Sequence, residues 1–210
     1  MQTESSTPAV PAPVRGTADN CVRVLLNEHA ALASVLSSIL LMLERGPRDE
    51  PERFFDVLRA MLFYIDEFPE QIHHRKESDV LFPKVARLAP KLLPTIEKLE
   101  RDHIRGESLV HSLQHALVAW EMLGEPRKSA FVDAAREYVA FYFEHMRLEE
   151  TVVVPAAESL LTADDWKEVD AAFRANRDPL AGAVPIDSTY NRLFTKIVTC
   201  APAPIGVGRG

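Results

Sequence analysis

Two short segments repeat one pattern, and that pattern decides what scaffold the rest of the chain has to supply. Residues 72–83 read Ile-His-His-Arg-Lys-Glu-Ser-Asp-Val-Leu-Phe-Pro, and residues 144–155 read Glu-His-Met-Arg-Leu-Glu-Glu-Thr-Val-Val-Val-Pro. Each holds a histidine four residues ahead of a glutamate, His73 with Glu77 and His145 with Glu149, followed by apolar residues and a proline. On a helix, residues four apart lie one turn apart on the same face, so imidazole and carboxylate converge on one point. Nitrogen and oxygen donors presented this way from two helices suit a first-row transition metal such as iron, manganese or zinc. The scaffold must therefore be helical and must bring helices face to face.

The surrounding sequence has helical periodicity. From about Ala18 to Leu43, Val22, Leu25, Leu26, Leu32, Leu36, Leu40 and Leu43 recur at spacings of three and four. Gly46-Pro47 through Pro51 closes this stretch and opens the next. The second runs from about Glu52 to Leu88 on Leu58, Leu62, Ile65, Ile72 and Val80, with Pro69 and Pro83 expected to kink or interrupt it. The third runs from about Pro94 to Leu123 on Ile96, Leu99, Val110, Leu113 and Leu117. The fourth runs from about Pro126 to Leu160 through Phe131, Tyr138, Phe141, Leu148 and Val152.

No strand pattern competes with these stretches. They predict an all-α fold, an antiparallel up-down four-helix bundle over residues 18–160. Residues 1–17, dominated by Ser, Thr, Pro and Ala, read as a disordered leader. Residues 161–210 read as a C-terminal extension with one or two short helices. Thr162-Ala-Asp-Asp165 caps the first, Asp178-Pro179 and Pro185 break it, and Tyr190 to Val198 forms the second.

Each long stretch carries one histidine on its apolar stripe: His29, His73, His103 and His145. One such histidine is ordinarily a hydrogen-bonded core residue. Four in one core, joined by Glu77 and Glu149, need polar partners that an apolar interior lacks, and a metal supplies them. Helical phase places His73, not His74, on the inner face, because adjacent residues point about 100° apart. His74 is expected on the flank with Glu70 and Ser78. By the same test His111 and His115 drift off the stripe of His103, and Glu150 reads as a surface charge. Glu107, one turn after His103, lies near the inner face and is carried as an additional candidate ligand.

A net charge of -7 argues against nucleic-acid or anionic-membrane partners, since an acidic chain gains nothing from their phosphates. No apolar run is expected to reach the roughly 20 residues of a spanning helix, and the N-terminus lacks the features of a secretory signal. Cys21 and Cys200 stand alone, without the spacing of a thiolate site or a disulfide scaffold. The expected compartment is the cytoplasm.

The Glu28-His29 start, the His-His-x-Lys-Glu-x-x-x-Leu-Phe-Pro segment, Asp102-His103 and the His-Met-x-x-Glu-Glu segment together resemble the hemerythrin HHE cation-binding family. The resemblance covers about residues 18–160. It implies two non-haem irons inside the bundle, with the motif carboxylates bridging them. Carried over by position, the ligands are His29, His73, Glu77, His103, His145 and Glu149. The family's oxygen carriers have a second histidine one turn after the third-helix histidine, where this chain has Glu107. They also have an aspartate five residues after the fourth-helix histidine, where this chain has Glu149 at four. A site with fewer imidazoles and a third carboxylate is harder and favours ferric iron. That points away from reversible oxygen carriage, toward binding or sensing of oxygen, peroxide or nitric oxide, or iron handling under oxidative and nitrosative stress. Two alternatives stand beside this reading. One is a di-iron enzyme reducing nitric oxide or peroxide with electrons from a reductase partner. The other is an iron-dependent interaction module with residues 161–210 as its output.

Overall fold

The computed structural model describes residues 15–48, 50–178, 180–182 and 190–208. No strand occurs among the described residues. The first helix, α1, spans Arg15–Arg45 and so takes in the last residues of the expected leader. Residues 1–14 lie outside the described residues.

The second helical run, residues 51–88, changes pitch along its length. It is α-helical over Pro51–Ile65 (α2), widens to a π-helix over Asp66–His73, and returns to α at His74–Lys76 (α3). It widens again over Glu77–Leu81 and ends α-helical over Phe82–Leu88 (α4). Pro69 and Pro83 account for the widening. Neither has an N–H, and in an α-turn each ring would strike the carbonyl four residues back. In the wide turns donors reach five residues back instead: His74 N–H bonds Pro69 O, and Phe82 N–H bonds Glu77 O. The expected interruptions are therefore π-turns inside a continuous run.

After a 3-10 turn at Pro90–Leu92, α5 runs over Leu93–Leu123. Gly124 closes it at φ 77°, a conformation glycine adopts without a Cβ clash. The fourth stretch is α6 (Lys128–Leu148), a π-turn at Glu149–Val153, and α7 (Val154–Leu160). The second motif thus repeats the first: Val154 N–H bonds Glu149 O, with Pro155 just beyond.

α1 packs against α2 and α6, and α5 packs against the same two partners from the other side. Two apolar clusters fill the interior. One gathers Leu36, Leu58, Met61, Val110, Leu117 and Phe131, and the other Leu25, Phe82, Val85, Leu99, Val153 and Phe173. Each long stretch passes from one cluster to the other, and the candidate ligands lie at that crossing. Leu26 is the exception to the expected α1 stripe, 39% exposed. By length and composition Cys21–Arg45 is sufficient to cross a membrane, which corrects the expectation that no stretch reaches that length. In this fold half of it is buried, and the Glu28, His29 and Ser38 it carries are buried with it.

The C-terminal extension packs onto the same body. α8 (Ala163–Arg174) lies along α1 and starts with a capping box: Asp165 N–H donates to Thr162 Oγ1 at 3.2 Å, and Thr162 N–H to Asp165 Oδ2 at 3.1 Å. α9 (Asn191–Cys200) lies against α2. Beyond it, Ser38 Oγ donates to Pro202 O at 2.9 Å and accepts from Ile205 N–H at 3.2 Å. Pro179 and Pro185, the expected breaks, lie outside the described residues.

Candidate metal centre

His29, His73, Glu77, His103, His145 and Glu149 are all buried and meet in one cluster. The two carboxylates stand between the imidazoles. Glu77 Oε1 faces His73 Nε2 at 3.3 Å and His29 Nε2 at 4.0 Å, while its Oε2 faces His103 Nε2 at 3.4 Å. Glu149 Oε2 faces His29 Nε2 at 3.4 Å, while its Oε1 faces His145 Nε2 at 3.1 Å and His103 Nε2 at 3.7 Å. Each carboxylate thus shares its two oxygens between two groups of histidines. His29 and His73, with Nε2 atoms 3.1 Å apart, form one half.

The other half contains a residue that helical phase puts elsewhere. His74 is 4% exposed and groups with Glu77, His103 and His145, its ring stacked on His103 with centroids 4.3 Å apart. The phase argument assumes α geometry across Pro69. A π-turn holds more residues per turn, so the angle between neighbours falls and both His73 and His74 face inward. Glu107 does not join the cluster. It is exposed, and its Oε1 accepts a hydrogen bond from Gln71 at 3.0 Å. The donors assembled here are therefore five imidazoles and two carboxylates, and the fifth imidazole comes from the second stretch. With a fifth imidazole in the cluster and Glu107 outside it, the donor set is softer than expected, and the preference for ferric iron loses its basis. His111 and His115 are exposed, His111 lying 3.2 Å from Asp66.

Four of the five histidines are oriented through their Nδ1. His73 Nδ1 lies 2.7 Å from Glu28, His29 Nδ1 3.0 Å from Glu150, and His74 Nδ1 3.1 Å from Glu70. His103 Nδ1 lies 3.0 Å from Ser78 Oγ, which donates onward to Glu100. His145 Nδ1 is the exception, 3.8 Å from Asp102 and without a hydrogen-bond partner. Glu150, read from sequence as a surface charge, is 41% exposed and still reaches His29. An Nδ1 engaged this way leaves Nε2 directed at the cluster, which is how ligating histidines are held. Sequence reasoning missed Glu28, Glu70 and Asp102. Their signal is local: two directly precede a cluster histidine, and Glu70 precedes His74 by one turn.

Both oxygens of Glu77, both oxygens of Glu149, and Nε2 of His103 and His145 are buried without a hydrogen-bond partner. Buried polar atoms are ordinarily satisfied, and leaving charged ones unpaired is costly. A cation between the carboxylates and the Nε2 atoms satisfies them together, so the donor set fits a metal. Titration behaviour agrees. Burial lowers His145, but Glu149 and Asp102 outweigh it and push the imidazole up to about 10. Burial likewise opposes the rise of His73, which Glu77 and Glu28 carry well above the usual value. Burial would raise Glu77, yet His73 and His103 hold it well below the carboxylate range. His74 goes the other way: burial, then the charges of His103 and His145, hold it well below the usual histidine value. The positive charge a cation brings is what this arrangement otherwise draws from protons.

A buried histidine–carboxylate centre in an all-α body defines a cation-binding helical protein. Residues 20–157 match the Hemerythrin HHE cation binding domain, and the chain belongs to that family. Among curated proteins it is similar to the uncharacterized protein Rv1995 of Mycobacterium tuberculosis and the uncharacterized protein Mb2018 of Mycobacterium bovis. Both are 25% identical over 191 residues, covering 90% of this chain and 71% of theirs. That coverage exceeds the family match and so includes most of the C-terminal extension.

Proposed function

We propose that this chain holds two non-haem irons within an antiparallel up-down bundle and uses them to bind or sense oxygen, peroxide or nitric oxide in the cytoplasm. The observation that carries the reading is the division of each carboxylate, with one oxygen of Glu77 and of Glu149 toward the His29/His73 half and the other toward the His74/His103/His145 half. Two carboxylates shared in this way are suited to two cations and not one. Mixed imidazole and carboxylate donors suit first-row transition metals, manganese and zinc among them, and membership of the hemerythrin family favours iron.

A bound iron pair would be held by His29, His73, His74, Glu77, His103, His145 and Glu149 and would supply redox chemistry. The chain's residues decide what reaches it. The two-histidine half has fewer protein donors, and beside it lies a cavity of about 10 Å³ lined by His29, Leu32, Phe68, His73, His74 and Met146. A space of that order is at the lower bound for one water-sized molecule, which argues against an organic substrate. Leu32, Phe68, Pro69 and Met146 form the apolar part of its wall, and the buried Glu28 and Asp178 carboxyls join the histidines on the rest. Turnover of peroxide or nitric oxide would draw electrons from a reductase partner.

The test is elemental analysis of protein expressed with ample iron, joined to its near-ultraviolet spectrum before and after nitric oxide or peroxide. Two irons per chain and bands that change with ligand are expected. One tightly held zinc and no iron overturns the reading.

A further inference from the structure

Asn176 follows α8, outside the residues matched by the family domain, and is 2% exposed. We propose that the C-terminal extension is a component of the metal site, and that Asn176 is the positioning residue of its two-histidine half. The inference rests on the di-iron reading and adds to it a residue the family match does not contain.

Asn176 Nδ2 donates to Glu28 Oε2 at 3.0 Å, and the same oxygen stands 2.7 Å from His73 Nδ1. The carboxamide therefore fixes the carboxylate that fixes the imidazole, leaving His73 Nε2 toward the cluster. Two neighbours in the extension act on the same half. The Phe173 ring meets His73 edge-on with centroids 5.7 Å apart. Asp178, anchored by Tyr64 Oη at 2.6 Å and Leu180 N–H at 2.9 Å, walls the small cavity beside His29 and His73.

Among the described residues the other half takes no such support. His74 and His103 are oriented by Glu70 and Ser78, and His145 lies 3.8 Å from Asp102, all within the residues the family model matches. Packing alone is a poor account of Asn176, because its Oδ1 is buried without a partner. An apolar side chain would fill the space without that cost. What an apolar residue cannot supply is the donor to Glu28. The extension is thus a support for one metal position.

The experiment follows iron release from the full-length protein to a strong chelator, together with iron content and the near-ultraviolet spectrum. Wild type is expected to release two ions. Asn176→Leu, close in volume but without the donor, should speed release of one ion by about 10- to 100-fold, as loss of an outer-shell partner typically does, and leave the other at the wild-type rate. Ser78→Ala should do the same to the other ion, and the double variant should release both quickly. Should Asn176→Leu fail to fold, Glu28→Gln perturbs the same link from its other end and must give the same single-ion effect. Release and spectrum unchanged by either substitution, or both ions loosened equally by one, overturns the assignment. A wild-type chain with fewer than two ions overturns the underlying function and this assignment with it. Wild-type stoichiometry with an insensitive Asn176 overturns this assignment alone.

Discussion

Glu70 Oε2 stands 3.1 Å from His74 Nδ1 inside the core, and this contact turns the opposite edge of the imidazole toward Glu77, His103 and His145. Glu70 is itself held by the hydroxyls of Tyr138 and Tyr142, both donating to its Oε1. Burial pushes the Glu70 carboxyl up to about 7, with the tyrosine hydrogen bonds pulling the other way. His74→Ala leaves its half with two histidines and the shared carboxylates, so it should speed release of one of the two ions, while Glu107→Ala, on the exposed side of α5, should leave release unchanged. Iron release to a strong chelator checks both. Release from His74→Ala at the wild-type rate would return that residue to a bystander.

The scaffold was legible because apolar spacing survives local changes of pitch. Leu32, Leu36, Leu58, Leu62, Val110 and Leu117 are buried as their spacing requires. So are His29, His73, His103 and His145, each at the crossing between the two apolar clusters. His74 was not legible, because a fixed angle per residue does not hold through the π-turn that Pro69 imposes. Glu107 was misplaced for a packing reason. The neighbouring Gly106 leaves room for the Tyr142 hydroxyl, which with Glu70 fills the inner space beside α5. Asn176 contacts Glu28 across 148 residues, and no local spacing could signal that.

Gly106 gives the second prediction. A Cβ there would lie 1.8 Å from Tyr142 Oη and 2.8 Å from its Cζ. Glycine to alanine within a helix ordinarily stabilises by about 0.5–1 kcal/mol. Here overpacking costs about 1–3 kcal/mol, so Gly106→Ala should be destabilising on balance. Tyr142→Phe removes the nearer of the two clashing atoms and should recover part of the loss in a double-mutant cycle. A stabilised Gly106→Ala would show that α5 and α6 shift apart easily.

Metal removal gives the third. Without a cation, Glu77 and Glu149 keep four buried oxygens that have no hydrogen-bond partner. A ligand at 1,000 times its Kd that binds only the folded chain adds about 4 kcal/mol. For a chain of this size that corresponds to a melting temperature shift on the order of 10 °C. Scanning calorimetry of iron-loaded and chelated protein should show such a gap, closed again by iron reconstitution. Superimposable melting curves would mean the cluster gains nothing from a metal.

The last prediction uses the carboxyl in the wall of the small cavity beside His29 and His73. An aspartate ordinarily titrates near 3.9. Burial pushes Asp178 up to about 6, against the hydrogen bond from Tyr64. A raised folded-state pKa means the unfolded chain releases its proton first. The stability this group contributes is therefore full below about 4 and is lost as the pH rises through about 6. Above that, wild type carries a buried charge facing Glu28, which itself raises Asp178 further. Asp178→Asn keeps an acceptor for Tyr64 or Leu180 and never ionises. Its melting temperature relative to wild type should rise from pH 4 to pH 7 and level off beyond. A difference that stays constant with pH would show that Asp178 is not held neutral by the fold, and that its contact with Tyr64 stabilises the ionised form.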